Sequence, residues 1–234
     1  RNQVILDGGY KLDNGIKVLG ADGVAVENMT ARRFTSNGFF WTGVKGYRGS
    51  YLTATRNGDY AIYAFDSTDG IFAHDYGSGS PDAGFYIGQC FPCNAIIRDS
   101  IAEWNGLGFS GTNAGGNLIL TKSIWRHNRA GIVPNSGDGE KLAPEHDTTV
   151  VGNVVYDNSN GKTPAIDDAK LAQGNGVLVA GGNTNLVTNN LVYNHDIAGI
   201  AIVPNPDTTV WIANGNKVLN NVVRGSDEAD LAAF

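Results

Sequence analysis

A small residue followed by alternating apolar side chains returns every 23 residues along most of this 234-residue chain. The small residues are Gly15, Gly38, Ala61, Gly84, Gly108, Gly131, Gly176 and Gly199. The steps between these markers are 23, 23, 23, 24, 23, 45 and 23 residues. The residue after each marker is always apolar, and the alternation of inward and outward side chains is typical of a β-strand. One strand per repeat, stacked on its predecessor, predicts a solenoid.

A second apolar segment lies between the markers, as in the stretches NAIIRDSIAEW and TNLVTNNLVY. Several of these segments end in asparagine, whose amide caps turns and stacks from repeat to repeat. These asparagines are Asn57, Asn105, Asn128, Asn158 and Asn194. From residue 4 to about 224 this cadence resembles the pectate-lyase-like superfamily of PbH1 repeats. The resemblance implies an all-β, right-handed parallel β-helix, with about eight rungs of roughly 23 residues in a single domain, 1–234.

That superfamily includes polysaccharide lyases, glycoside hydrolases, alginate epimerases, phage tailspikes and secreted repeat proteins, so the resemblance indicates a fold before a reaction. It implies a protein that is secreted, periplasmic or at the cell surface. The net charge of −6, with 17 scattered Lys and Arg residues, argues against a nucleic-acid partner. No apolar run is long enough for a membrane span.

The single step of 45 residues locates two insertions. Measured against the asparagine positions, 7 extra residues follow the strand-like segment GIVPN, and 15 extra residues precede the next such segment, GVLV. Both insertions therefore flank the same sheet, one at each edge. Long loops on a rigid solenoid commonly form the walls of a binding groove, so we expect a site over this sheet.

An aromatic stripe is expected on the floor of this groove. The outward residue two positions after the marker is Phe40, Tyr63 and Tyr86 on three consecutive rungs, which are about 4.8 Å apart. Such a stripe suits stacking against sugar rings, so these three residues and Asn135 are predicted to bind substrate. Self-stacking beneath a loop explains the same stripe equally well.

The first insertion, NSGDGEKLAPEHD, holds the densest group of ionisable residues in the chain. Chemistry on a uronic acid requires a base for the C5 proton, a cation near the carboxylate and a proton donor. The predicted catalytic residues are Lys141, Glu145 and His146. The predicted ligands of a Ca²⁺ ion that bridges the substrate carboxylate are Asp138, Glu140 and Asp147. The alternative is a solvated surface loop without chemistry.

Two further patterns bear on the reaction. The string PEHD resembles the DPHE-like motif of alginate epimerases but lacks its leading Asp, so the resemblance implies roles for His146 and Asp147 only. Hydrolysis by paired carboxylates has weaker support, because no acid occupies the outward positions and the nearest, Asp66 and Asp82, lie beyond the strand ends. His74 stands in reserve as a candidate.

The leading hypothesis is an extracellular carbohydrate-active protein that binds an acidic polysaccharide in the groove. If it is an enzyme, we expect a polysaccharide lyase acting by β-elimination, or a C5-epimerase. The first alternative is a noncatalytic glycan-binding or adhesion β-helix. The second is a periplasmic accessory protein for metal or cofactor assembly, with Cys90 and Cys93 as its functional thiols, although these two cysteines equally suit a local disulfide.

Overall fold

The chain winds into a coil whose three long parallel sheets enclose one core in the computed structural model, which describes residues 3–233. Each turn of the chain contributes one strand to sheet 1, then one to sheet 2 and one to sheet 3. Consecutive turns pair in register, so that Phe39 lies beside Ile62 and Ile62 beside Phe85. The predicted parallel β-helix is confirmed.

The strands follow one another along each sheet in chain order. Sheet 1 contains Ile16–Leu19, Phe39–Thr42, Ile62–Phe65, Ala83–Gly88, Leu107–Thr112, Ala130–Asn135, Asn175–Ala180, Ala198–Val203 and Ala229–Ala233. Sheet 2 contains Ala25–Glu27, Lys45–Ser50, Thr68–Ala73, Ala95–Arg98, Gly115–Thr121, His146–Val151, Leu186–Thr188 and Lys217–Leu219. Sheet 3 contains Ile5–Asp7, Thr30–Arg32, Thr53–Thr55, Tyr76–Ser78, Ile101–Glu103, Ile124–Arg126, Val154–Tyr156, Leu191–Tyr193 and Val222–Arg224.

Two irregular elements interrupt this pattern. One short helix, Asp167–Leu171, lies in the insertion that precedes Asn175–Ala180. An antiparallel pair, Asn205–Pro206 with Val210–Trp211, follows the strand Ala198–Val203. No helix in residues 3–233 has the length and apolar character needed to cross a membrane.

Sheet 1 has one strand more than the eight that the markers predict. In the last strand Leu231 pairs with Ile200, a step of 31 residues. The antiparallel pair at 205–211 lengthens this step, so the series of markers with a step near 23 ends at Gly199.

The inward residue after each marker forms a continuous stack through the core. From the second turn onward its members are Phe39, Ile62, Phe85, Phe109, Ile132, Val177 and Ile200, and all are buried. Stacking buries the inward face of each turn on its neighbours, which supplies the main stabilisation of a solenoid. The stacked turns therefore form a rigid support, while the loops at the edges of sheet 1 can vary in length and sequence.

An asparagine ladder runs along the corner between sheets 3 and 1, as predicted. Asn105 Nδ2 donates to Asn128 Oδ1 at 3.0 Å, and Asn128 Nδ2 donates to Asn158 Oδ1 at 2.9 Å. The prediction is wrong at Asn194, which is exposed with φ 60°. Its neighbour His195 is buried there instead, and its Nδ1 lies 3.3 Å from the Asn158 backbone N. In each turn the residue that caps this corner from inside follows directly after a residue with positive φ. The spacing in the sequence alone did not identify His195 as that residue.

Candidate functional site

A groove of about 670 Å³ lies over sheet 1, at the rungs with the insertions. Its floor comes from Ser110, Val133 and Leu178, outward residues of three successive strands. Residues 137–140 and 203–207 line one edge, and residues 166–172 line the other. The arithmetic of the repeat thus located the groove, which lies where two insertions flank one sheet.

The wall at residues 136–145 is tied to the core and to the loop after Ala198–Val203. Ser136 Oγ donates to the Gly181 carbonyl at 2.7 Å and accepts the Glu145 N–H at 2.9 Å. Asn205 Nδ2 donates to the Ser136 carbonyl at 2.7 Å. The two loops therefore form one wall, and hydrogen bonds at the loop base fix its position.

The opposite wall, residues 159–174, is held by Arg129 and by backbone hydrogen bonds. Among the latter, the Asn160 N–H donates to the Asn128 carbonyl and the Ile166 N–H to the Pro81 carbonyl, both at 3.0 Å. Arg129 follows the Asn128 step of the ladder, and its guanidinium donates to the carbonyls of Gly161 and Thr163 and to the Gln173 side chain. The planar fork of Arg satisfies several loop acceptors at once, which a flexible ammonium does less well. This clamp presents the helix Asp167–Leu171 to the groove.

Asp82 lies in the groove at the start of the strand Ala83–Gly88 and is almost fully buried. Burial raises the pKa of Asp82 to about 7, partly offset by a hydrogen bond with Tyr60, and the nearby charges of Asp59, Asp168 and Glu140 raise it further. A carboxyl that titrates near neutral pH in a cleft is a candidate acid–base group.

Glu140 reaches into the groove from the opposite wall. One of its carboxylate oxygens accepts a hydrogen bond from the Tyr86 hydroxyl, and the other is shielded from solvent without a hydrogen-bond partner in residues 3–233. Burial raises the pKa of Glu140 to about 7, although the bond from Tyr86 lowers it. The groove therefore holds two carboxyls, from opposite edges of sheet 1, which both titrate near neutral pH.

Tyrosine rings connect the two carboxyls. Tyr60 contacts Asp82, Tyr86 contacts Glu140, and the Tyr60 and Tyr86 ring centroids are 5.0 Å apart. Tyr63 stacks on Tyr60 at 4.3 Å and meets Tyr86 edge-on at 4.9 Å. The charge of Glu140 is the smallest of the causes that raise the pKa of Asp82, so burial of each carboxyl, rather than repulsion between them, is the main reason that both pKa values are raised.

The predicted aromatic stripe exists, but it is only partly open. Phe40 stacks on Tyr63 with centroids 4.5 Å apart, and both are half-buried. Tyr86 is 1% exposed, so the prediction of three exposed rings is wrong at this residue. The insertion folds Glu140 over the Tyr86 hydroxyl, which matches the alternative of stacking beneath a loop. Asn135 lines the groove, and its Nδ2 lies 3.1 Å from Thr112 Oγ1.

The ionisable residues of the first insertion do not converge on the groove. Of this set only Glu140 lines it. Lys141 is exposed, and its backbone N–H donates to Gln89 Oε1 at 2.8 Å. His146 begins a strand of sheet 2 and packs against Phe91 with centroids 4.9 Å apart. The loop turns the corner into sheet 2 after Glu140, which carries the later residues away from sheet 1.

Glu145 has a position that contradicts the prediction of a catalytic residue that meets substrate. It is 0% exposed, accepts hydrogen bonds from Thr148 Oγ1 at 2.6 Å and Asn185 Nδ2 at 2.7 Å, and points into the coil. Burial raises the pKa of Glu145 to about 8. Its contacts are those of a buried residue that anchors the end of the wall.

The predicted calcium ligands lie apart from one another. Asp138 accepts the Thr209 N–H, and Asp147 accepts a hydrogen bond from Thr184 Oγ1 at 2.7 Å at the start of sheet 2. Within residues 3–233, no group of three or more His, Cys, Asp or Glu side chains is arranged to hold a metal ion. The Ca²⁺ ion therefore stays a prediction that gains no support from this geometry.

Sequence reasoning did not assign Tyr60, and it treated Asp82 as a minor alternative. A signal was available, because Asp13, Asp59 and Asp82 all stand two residues before a marker, at equivalent positions of successive or near-successive turns. The Asp82 N–H donates to the Asp59 carbonyl at 3.2 Å, so these two turns are directly stacked. Aligning this position across the repeats would have found an acidic row at the edge of sheet 1.

Cys90 and Cys93 form a disulfide, and no free cysteine is found in residues 3–233. The local disulfide is thus the interpretation that agrees with the structure. The hypothesis of an accessory protein, which relied on these thiols as its functional group, loses that support.

Comparison with known proteins supports the fold over most of the chain. The family model described as "Right handed beta helix region" matches residues 37–223, which is more than half of the chain. No curated protein shows significant sequence similarity to it.

Solved structures with a similar fold are distant in sequence. The A-module of the Azotobacter vinelandii mannuronan C-5 epimerase AlgE4 has a TM-score of 0.54 at 14% identity, over 90% of this chain and 64% of that one. The catalytic domain of a GH87 α-1,3-glucanase in complex with nigerose has a TM-score of 0.53 at 11% identity, over 91% and 47%. The periplasmic alginate epimerase AlgG has a TM-score of 0.53 at 15% identity, over 88% of this chain and 50% of that one. This chain thus spans less than two thirds of each, and the likeness concerns the fold.

Proposed function

The chain belongs to the right-handed beta helix family, and from the groove over sheet 1 we propose that it is a carbohydrate-active protein that hydrolyses a glycosidic bond. The observation that carries this proposal is the pair of carboxyls, Asp82 and Glu140, whose pKa values are both raised to about 7. The catalytic domain of a GH87 α-1,3-glucanase, which has a similar fold, forms a complex with nigerose, and this supports a glycan as the ligand proposed here.

Glycoside hydrolysis requires one carboxylic acid that protonates the leaving oxygen and one carboxylate on the other side of the sugar. Asp82 and Glu140 approach from opposite edges of sheet 1, so a polysaccharide that crosses the strands passes between them. Because burial raises both pKa values to about 7, each carboxyl is present in protonated and ionised forms near neutral pH. The two roles therefore coexist at the same pH.

The charge of the groove bears on the substrate. Its lining includes Asp82, Glu140, Asp168 and Asp207, and no Lys, Arg or His of the described chain is part of that lining. Such a surface repels carboxylate-rich chains, so we propose a neutral glycan here. The acidic polysaccharide and β-elimination expected from sequence stay predictions, because the groove supplies neither the cation nor the basic side chain that they need.

Binding without cleavage is the second candidate. It is favoured by Glu140, whose second oxygen is shielded from solvent and must become accessible before it meets a substrate. The half-buried rings of Phe40 and Tyr63 would then extend the binding surface beyond the groove. In either case we propose an extracellular or periplasmic location, which suits the Cys90–Cys93 disulfide.

The test is incubation with neutral glucans and galactans, alginate and polygalacturonate, measuring both new reducing ends and the absorbance of unsaturated uronates. We expect reducing ends from a neutral glycan without unsaturated product. Asp82→Asn and Glu140→Gln should each lower the rate by at least about 100-fold, because each removes one partner of the acid–base pair. Asp66→Asn, an exposed acid just beyond a neighbouring strand of sheet 1, is the matched control and should be unaffected.

Three results would separate the alternatives. Cleavage that survives both substitutions would contradict the proposed pair. Unsaturated product from a uronate would establish the lyase instead. Retention of a glycan in affinity electrophoresis, with no cleavage of any kind, would favour the noncatalytic binder.

A further inference from the structure

A row of left-handed residues runs along the corner between sheets 3 and 1. Each follows directly after a strand of sheet 3, and each has φ between 52° and 75°. The row consists of Arg33, Arg56, Gly79, Trp104, His127, Asp157, Asn194 and Gly225. At such a corner the side chain projects away from the coil, so the row presents one outward side chain per turn, about 4.8 Å apart, except at Gly79 and Gly225.

Gly79 leaves a gap in this row between Arg56 and Trp104. The backbones of these two residues are two turns apart, or about 10 Å. The stem of Arg56 forms one side of the gap, with its Cγ 3.4 Å from where a Cβ of Gly79 would stand. Trp104 stacks on His127 with centroids 4.8 Å apart and an interplanar angle of 24°. One ring face of Trp104 is thus covered, and the other is on the side of the gap. The Trp104 side chain is 46% exposed, which suits stacking on a ligand.

The gap opens into a cleft of about 870 Å³, here called the corner cleft. Its lining includes Arg56, Gly79, Trp104 and Lys162. It includes two cations and no carboxylate among the described residues. Arg56 and Lys162 form no ion pair within residues 3–233, whereas Arg33 is bound to Asp7. Unpaired cations beside an open aromatic face are therefore concentrated here, in a chain whose net charge is −6.

The insertion 159–174 separates the corner cleft from the groove over sheet 1. Residues 160–164 line the cleft, and residues 166–172 line the groove. The helix side of this loop carries Asp168 towards Asp82, and the other side carries Lys162 towards Arg56. A single loop thus faces an acidic site with one edge and a basic site with the other.

We propose that the corner cleft binds an anionic sugar, whose ring stacks on the open face of Trp104 and whose carboxylate or sulfate pairs with Arg56 and Lys162. Aromatic stacking against sugar C–H groups and charge-assisted hydrogen bonds to an anion together account for such recognition. The site is independent of the proposed hydrolysis, since no residue of the acidic pair lines it.

The experiment is calorimetric titration of the whole chain with oligogalacturonate, with a sulfated heparin oligosaccharide and with the carboxyl-reduced form of the first. We expect the anionic probes to bind at least about tenfold more tightly than the reduced one, and added salt to weaken them. The two anionic arms distinguish a carboxylate from a sulfate as the ligand. Inorganic sulfate alone should bind weakly, because it lacks a ring for Trp104.

Three variants test the architecture of the cleft. Trp104→Ala and Arg56→Ala should each lower affinity about tenfold. Gly79→Arg should fill the gap and lower affinity although it adds a cation. An added Cβ at Gly79 meets its nearest atoms at 3.4 Å, and Arg33 and Arg56 already adopt the same backbone conformation, so we expect this variant to fold.

Matched controls lie on other faces of the coil. Tyr51 is an exposed ring stacked on His74 at 4.7 Å, and Arg48 is an exposed cation of sheet 2, so Tyr51→Ala and Arg48→Ala should leave binding unchanged. Asp82→Asn should also leave it unchanged. Equal affinity for the reduced probe, or wild-type affinity in both Gly79→Arg and Trp104→Ala, would overturn the proposal.

Discussion

The groove over sheet 1 and the corner cleft lie on either side of the same loop, yet their charges are opposite. The groove contains four acids and no base, and the cleft contains two bases and no acid, among the residues described. Each site combines a repeat position, Asp82 in the groove and Arg56 with Trp104 in the cleft, with charged residues from the insertions. The difference shows that the charge of a site on a solenoid depends on which turns carry insertions or unusual residues.

The largest expected effect concerns the pH dependence of stability and comes from Glu145, which anchors the end of the groove wall inside the coil. The pKa of Glu145 is about 8, above its usual 4.5, so its stabilising contribution is complete below pH 4.5 and is lost as the pH rises through about 8. Over this window the loss is on the order of 5 kcal/mol for a fully buried carboxyl. Glu145→Gln should remove this pH-dependent part of the unfolding free energy, because an amide does not titrate. Its oxygen can accept the hydrogen bond from Asn185 Nδ2, and its nitrogen can donate to Thr148 Oγ1.

Chemical denaturation of both proteins at the two ends of this window measures the difference. Asp82 and Glu140 also have raised pKa values, of about 7, so they too lower the unfolding free energy as the pH rises. This contribution is the same in both proteins and cancels in the comparison. An identical pH dependence in wild type and Glu145→Gln would show that Glu145 does not titrate in this way.

Arg129→Ala should affect both sites, because Arg129 clamps the loop that they share. Loss of several hydrogen bonds from a charged fork should cost about 2 kcal/mol of unfolding free energy. Limited proteolysis should then cut within residues 159–174, and titration should show weaker binding at the groove and at the corner cleft. Arg129→Lys keeps the charge but not the fork and should be intermediate. Weakening of one site only would refute the shared wall.

Tyr86→Phe sharpens the assignment of Glu140. The Tyr86 hydroxyl donates to Glu140 and lowers its pKa, so removing it should raise that pKa further, by up to about one unit. The limb of the pH–activity profile that reports Glu140 should move to higher pH. Tyr76→Phe removes a similar bond, to Glu103 on sheet 3, and should leave the profile in place.

The smallest effect is expected at Phe40, two turns from Tyr86 along the floor. Phe40 is half-buried, stacked on Tyr63 and with Lys17 Nζ 5.3 Å from its ring centroid. Phe40→Ala should therefore lower the affinity of long oligosaccharides by about fivefold, or about 1 kcal/mol. Short oligosaccharides that fill only the groove should bind as before. Ile71→Ala, at an exposed position of sheet 2, is the control. Equal losses for long and short chains would mean that Phe40 acts through stability alone.

The sequence by itself determined the fold, the stacking of the core and the sheet that carries the insertions. Burial on a solenoid repeats once per turn, so the period of apolar residues reports it directly, as the stack from Phe39 to Ile200 shows. The two walls followed from counting residues between asparagines.

Only the tertiary structure decided which charges meet. Glu140 and Glu145 are five residues apart in one insertion, yet the first faces the groove and the second is sealed in the coil beside Asn185. An irregular loop has no period that fixes the direction of its side chains, so its contacts with the core decide. Asp82 and Gly79 also show what the sequence alone does not reveal, although they lie in the regular repeat and not in an insertion. Each occupies an ordinary repeat position, and each gains its importance from the neighbouring turn: Tyr60 beside Asp82, and Trp104 beside Gly79.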